Sequence, residues 1–259
     1  MKAEAMSGAA RAAHALRIVG GLLFTLALVA FLWDSVNEPV AEGPPVMISE
    51  EDAAPARGKA GLMVLSSLPM RFTDGFSLEA APSPLHEALS QEYALVPIEA
   101  ASPEALAQGD LLLMAHPRAQ TAENLVALDE WVRGGGRVLL LADPAFAGAG
   151  ELPTGMGPPP YFADTGLLGH WGVTLEGPLT PGEAAVGGET GALLVTAPGR
   201  LAASGEACMI RDDGFRADCR IGEGHAIILA DADFAVRGDE AGDDNRAALT
   251  GLIGRLAGE

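Results

Sequence analysis

The chain has 259 residues, 49% of them hydrophobic, so a sizeable core is available and global disorder is excluded. Its 16 Lys and Arg against 35 Asp and Glu leave a formal net charge of −19. That balance argues against nucleic-acid binding, which needs clustered cations, and reads more simply as solubility through self-repulsion.

The first element is an uncharged apolar run, Ile18 to Trp33 (IVGGLLFTLALVAFLW). A hydrocarbon core about 30 Å thick needs roughly 20 helical residues, with about 17 as the lower limit. The run reaches that length if Ala15 and Leu16 join it and Trp33 sits at the interface. Lys2, Arg11 and Arg17 precede it, whereas Asp34, Glu38 and Glu42 follow, so the positive-inside rule keeps the N-terminus cytoplasmic. A cleaved signal peptide is the alternative, although DSVNEPVAEG after Trp33 lacks a convincing small-x-small site. Either reading exports the remainder. The chain then divides into a cytoplasmic segment (1–17), a transmembrane anchor (18–33), a linker rich in Glu, Asp, Pro and Ala (34–59) and an extracytoplasmic domain (60–259).

Within that domain GLMVLSS (Gly61 to Ser67) suits a buried strand, and Pro84 to Gln91 a helix with Pro in its first turn. Tyr93 to Ile98 and Asp110 to Ala115 are further strands. Apolar runs without alternation mean burial on both faces, as in a parallel sheet flanked by helices. Thr121 to Gly134 is a helix: Thr121 caps it, Leu125, Leu128, Trp131 and Val132 share a face, and Gly134 to Gly136 stop it. Arg137 to Ala142 returns as a strand ending at Asp143-Pro144, which completes a right-handed crossover. Residues 145–160 form a long loop. A short helix capped by Asp164, strands at Val173 to Leu175, Ala192 to Thr196 and His225 to Ala230, and a last helix over Asp244 to Leu256 complete the order. Asp244 or Asn245 is the expected cap of that helix.

Between Glu206 and Ile221 the pattern changes to strict alternation, with Cys208, Ile210, Ala217, Cys219 and Ile221 on one face. Asp213-Gly214 signals a two-residue type I′ turn. Centring a hairpin there sets Cys208 opposite Cys219, in a hydrogen-bonded pair with alpha carbons about 5.5 Å apart. In an exported chain this register predicts a disulfide; two reduced core cysteines are the alternative. Arg211 falls opposite Arg216, a conflict that nearby acids must screen.

Ligands of open α/β sheets sit outside the carboxyl ends of the strands, which gathers Ser66, Ser67, His116, Asp143, Asp231 and Asp233 as a candidate ligand-binding rim. Each residue also has a plainer role as a turn or helix cap. The acidic stretch Asp231 to Asp244 invites calcium, but Ala235 and Val236 break the EF-hand pattern, so no metal or cofactor is assigned. There is no G-x-S-x-G elbow, and no cysteine follows a parallel strand.

Three segments, LVALDEWVRGGGRVLLLADP (Leu125 to Pro144), LLGHWGVTLEGP (Leu167 to Pro178) and GEGHAIILADADF with DDNRAALTGLIGRL (Gly222 to Phe234, Asp243 to Leu256), carry a resemblance. Together they resemble the extracytoplasmic domain of gliding-motility and ABC-transporter auxiliary proteins, and related membrane-anchored domains of unknown function. The resemblance implies a three-layer, mostly parallel α/β fold, flavodoxin-like or class I glutamine amidotransferase-like, with an antiparallel hairpin near the C-terminus. It implies a noncatalytic accessory module of a bacterial membrane complex, an ABC transporter included, anchored in the cytoplasmic membrane with its C-terminal domain outside. This chain departs from many transport-linked relatives in being short, with one N-terminal span. A hydrolase or transferase using the rim carboxylates and His116 is the alternative function.

Overall fold

The structure, a computed structural model, describes residues 58–70, 82–149, 157–178, 181–188 and 191–258. The Ile18 to Trp33 run and the linker up to residue 57 lie outside them. Among the described residues no helix is long and apolar enough to cross a membrane.

Five parallel strands form the centre: β1 (Ala60–Ser66), β2 (Tyr93–Pro97), β3 (Leu111–Ala115), β4 (Arg137–Leu141) and β11 (Gly224–Leu229). They lie in the order β2-β1-β3-β4-β11, and the antiparallel strands β10 (Arg216–Ile221) and β9 (Cys208–Arg211) extend the sheet to seven. Every residue of β3 is buried, and so are Val138, Leu139, Leu140 and Leu141. This two-sided burial is what the unbroken apolar runs require.

Local capping sets the helix starts. Ser83 opens α1 (Pro84–Glu92), its hydroxyl accepting from the His86 amide at 3.1 Å. Ser102 opens the short α2 (Pro103–Leu106) in the same way. Thr121 caps α3 (Ala122–Arg133), which buries Leu128 and Val132 completely. Gly135 after it takes a φ of 110°, the left-handed stop that the glycine run provides. Asp164 accepts from the amides of Gly166 and Leu168 and so organises α4 (Leu167–His170).

The last helix differs from the expectation. It runs as α6 over Glu240–Ala257, capped by Asp239, whose carboxylate accepts from the Gly242 amide at 3.1 Å. Acidic residues in the first turn are favoured by the helix dipole, so the earlier start is physically reasonable. Asn245 is therefore inside the helix and buried. Its amide donates to the carbonyls of Leu194 and Phe234 and accepts from the Leu194 N–H. Four elements that weak periodicity hides also appear: α2, α5 (Asp233–Val236), β6 (Glu183–Gly188) and β8 (Arg200–Ala203). β6 pairs with β7 (Gly191–Thr196), and β8 with β5 (Val173–Glu176).

The hairpin has the predicted register, with Cys208 opposite Cys219 and a bond between them of 2.02 Å. The pairing type is corrected. Asp212 joins Asp213 and Gly214 at positive φ, and the register stays while the alternation of hydrogen-bonded and non-hydrogen-bonded pairs is offset by one residue. The Arg220 amide donates to Ala207 at 2.8 Å, so the hydrogen-bonded pairs are the odd-to-even ones and the cysteines form a non-hydrogen-bonded pair. Such pairs approach more closely, and the alpha carbons are 4.0 Å apart. Asp218 and Asp212 screen Arg211 and Arg216, with contacts of 3.2 to 3.6 Å. Removing the bridge by Cys208→Ala with Cys219→Ala should lower stability by at most about 3 kcal/mol, since the enclosed loop is short. Paired thermal melts measure it; an unchanged melting temperature would mean that the bridge constrains nothing.

Candidate functional site

The order of the parallel strands changes direction between β1 and β3, and the carboxyl ends of the strands make the rim where ligands of such sheets bind. Ser66 ends β1, His116 follows β3, Asp143 follows β4, Asp231 follows β11 and Asp233 opens α5. The folded chain turns these side chains towards its own backbone. The Ser66 hydroxyl donates to Ala115 O at 3.2 Å and accepts from the Leu68 amide, while the Ser67 hydroxyl donates to His116 O.

Adjacency of β4 and β11 brings Asp143, Asp231 and Asp233 together, with carboxylate oxygens within 4.8 Å of one another. Asp143 and Asp231 are fully buried and Asp233 is 7% exposed. All six oxygens accept a backbone N–H. Asp143 takes those of Ala145 and Ala232, Asp231 those of Thr196 and Phe234, and Asp233 those of Ala147 and Gly148, at 2.8 to 3.1 Å. The three side chains thereby fasten the loop after β4, the end of β7 and the start of α5 to the end of β11. Burial pushes the Asp143 carboxyl up to about 6, against the pull of its amide donors. Burial, then the neighbouring Asp143 charge, pushes Asp231 up to about 8. As a donor set three carboxylates suit a hard cation, but here backbone amides already meet each oxygen.

His116 is fully buried at a φ of 47°. Its ring stacks on Phe146 with centroids 4.8 Å apart, and Nε2 lies 2.8 Å from Pro159 O. That contact places the proton on Nε2 and leaves Nδ1 as an acceptor, without a partner among the described residues. Burial holds the imidazole below its ordinary range, opposed by the Pro159 hydrogen bond and the Asp233 charge. A neutral ring results, clasping residue 159 as Arg118 does Gly157.

Sequence reading places the six rim residues at the strand ends. It misses Phe146 and the amides of Ala145, Ala147 and Gly148, which complete the cluster. The run Ala145 to Gly150 after Asp143-Pro144, small residues apart from Phe146, is the available signal, since a compact loop brings consecutive amides to one carboxylate.

The class defined by this geometry is a mixed α/β domain with a mainly parallel sheet and antiparallel hairpins. No family model matches the chain, and no curated protein matches it. Among solved structures, the mmIFT52 N-terminal domain is similar at 14% identity and a TM-score of 0.50, covering 75% of this chain and 96% of that one. The exo-beta-1,4-mannosidase Op5Man5 from Opitutaceae bacterium strain TAV5 aligns at 13% identity and a TM-score of 0.48 over 76% of this chain. The chain spans 36% of that enzyme's length. A beta-galactosidase from Bacillus circulans sp. alkalophilus aligns at 12% identity and a TM-score of 0.45, over 77% of this chain and 31% of its own. At these identities the likeness concerns fold alone.

Proposed function

We propose that this chain is a noncatalytic accessory or ligand-binding module of a bacterial membrane complex, held by Ile18 to Trp33 in the cytoplasmic membrane with its folded domain outside. An ABC transporter is the partner assembly that the sequence resemblance favours. The observation that carries the noncatalytic reading is the rim itself, where all six carboxylate oxygens are engaged by the chain's own amides. The chain's two cysteines are joined to each other, so neither is free as a thiol nucleophile. The strand order 2-1-3-4, continued by a fifth parallel strand, agrees with a flavodoxin-like or amidotransferase-like domain.

One observation favours a hydrolase or transferase instead. The His116 Nδ1 lone pair is buried without a partner among the described residues, and the ring feels the charge of the buried Asp233. Turnover decides between the two. The purified full chain should release no product from amide, ester or phosphoester substrates. Catalysis that disappears in His116→Gln, while the melting temperature holds, would replace the accessory reading with the enzymatic one.

A further inference from the structure

The positive charge of the described residues is unevenly placed. Two neighbouring clefts flank the antiparallel end of the sheet, one of about 690 Å³ between β8 and the hairpin turn, the other of about 270 Å³ on the face of β9, β10 and β11. Arg200, Arg211, Arg216, Arg220 and Arg255 line them, and the clefts share Arg211 and Arg216. Asp212, Asp213 and Asp218 line the same clefts, so the five arginines leave a positive excess of two in a chain of net charge −19.

Its charge is only partly neutralised. Asp218 pairs with Arg211 and Arg216, and Asp212 pairs with Arg216. Neither Arg220 nor Arg255 has a carboxylate partner among the described residues, and both are exposed. His225, beside Arg220, is held below its ordinary range by burial first and, among its neighbours, by the Arg220 charge, while Asp218 opposes.

The spacing selects the ligand. Arg211, 42% exposed, lies across the hairpin from the buried Arg216, and Arg220 follows four residues after Arg216 on β10, about 13 Å along the strand. One small oxyanion cannot meet cations spread over that length. An extended acidic peptide can, because its same-face side chains recur about every 6.8 Å, and guanidinium groups bind carboxylates with two parallel hydrogen bonds. Met209, 57% exposed on β9, offers an apolar contact at the same edge. A second copy of the chain seated face to face would oppose arginine to arginine, so charge complementarity favours a different, acidic partner.

We propose that the open face of β9, β10 and β11, with Arg255 from the end of α6, docks an extended acidic segment of a partner protein. This deepens the accessory reading above and rests on it. The test is fluorescence anisotropy of the full chain in detergent with labelled hexaglutamate, and labelled hexaglutamine as the control. Saturable binding of hexaglutamate alone is expected, weakened about tenfold by Arg220→Glu and by Arg255→Glu and retained by Arg220→Lys. Unchanged melting temperatures show that the exposed substitutions leave the fold intact. Equal binding of hexaglutamine, no binding, or binding indifferent to both reversals overturns the proposal. So does displacement of hexaglutamate by equimolar inorganic phosphate, or by vesicles of phosphatidylglycerol, which would make the site a phosphate or lipid site. Lack of binding without turnover refutes the docking surface alone, whereas binding with turnover refutes only the noncatalytic reading.

Discussion

Thermal stability of the chain should fall as pH rises from about 4 to about 8 and level off above. The cause is the buried carboxyl cluster. Asp143 and Asp231 hold their protons to about 6 and about 8 in the folded chain, whereas unfolded aspartates release theirs near 3.9. The native state therefore binds more protons across that window, and stability has a negative slope with pH. A tenfold difference in proton affinity between folded and unfolded chain corresponds to about 1.4 kcal/mol, so the loss is on the order of 3 to 6 kcal/mol, with the carboxyls titrating as a coupled set. For a domain of this size that is roughly 10 °C in melting temperature. The acid side behaves oppositely. Asp129 is raised by burial but lowered further by hydrogen bonds from Arg133 and Trp171, and its contribution is lost as pH falls below the ordinary carboxylate range. Asp231→Asn should reduce stability at every pH, because one acceptor oxygen becomes a donor facing an amide. It should also flatten the slope between pH 6 and 8. Melts of both proteins across pH measure this, and a slope that survives in the Asn variant would move its origin elsewhere.

The second large effect is expected at the turn between β10 and β11. This turn packs on the end of α3, where the Glu223 amide donates to Arg133 O and the His225 amide to Gly136 O. A Cβ on Gly224 would lie 1.9 Å from Val132 O and 2.4 Å from Gly136 O. Both obstacles are backbone, so relief requires β11 or the end of α3 to move. Gly224→Ala should cost on the order of 3 kcal/mol or more, about 10 °C in melting temperature. The exposed Gly187 has open space around its Cβ direction, and Gly187→Ala should change stability by less than about 0.5 kcal/mol. Similar melting temperatures for the two variants would refute the close approach.

Much of the scaffold is legible along the chain because its signals are local. Unbroken apolar runs of five residues suffice to announce β3 and β4 as strands buried on both faces. Ser83 and Thr121 mark their helices by one hydroxyl each, and the glycines after Val132 mark a stop. The cysteine pairing follows from a turn five residues from each cysteine. Where several local signals compete, sequence reading fails. Asp244 and Asn245 are the caps that the sequence suggests for α6, yet the helix starts after Asp239, and Asn245 is buried within it against Leu194 and Phe234. The short strands β6 and β8 carry too little periodicity to be seen before their partners are known.

The parallel α/β core, the cysteine register and the residues at the strand ends can be read from the order of amino acids. What those residues do depends on which distant segments meet in the fold. Asp143 and Asp231 lie far apart in the chain and meet because β4 pairs with β11, which removes their solvent and supplies amides from the loop after β4, the end of β7 and the start of α5. The arginines scattered between Arg200 and Arg255 likewise form one surface only when the hairpin is set beside the end of α6. Caps and strand runs depend on neighbours within a few residues, whereas burial, mutual repulsion and unpaired charge depend on which distant segments share a sheet edge.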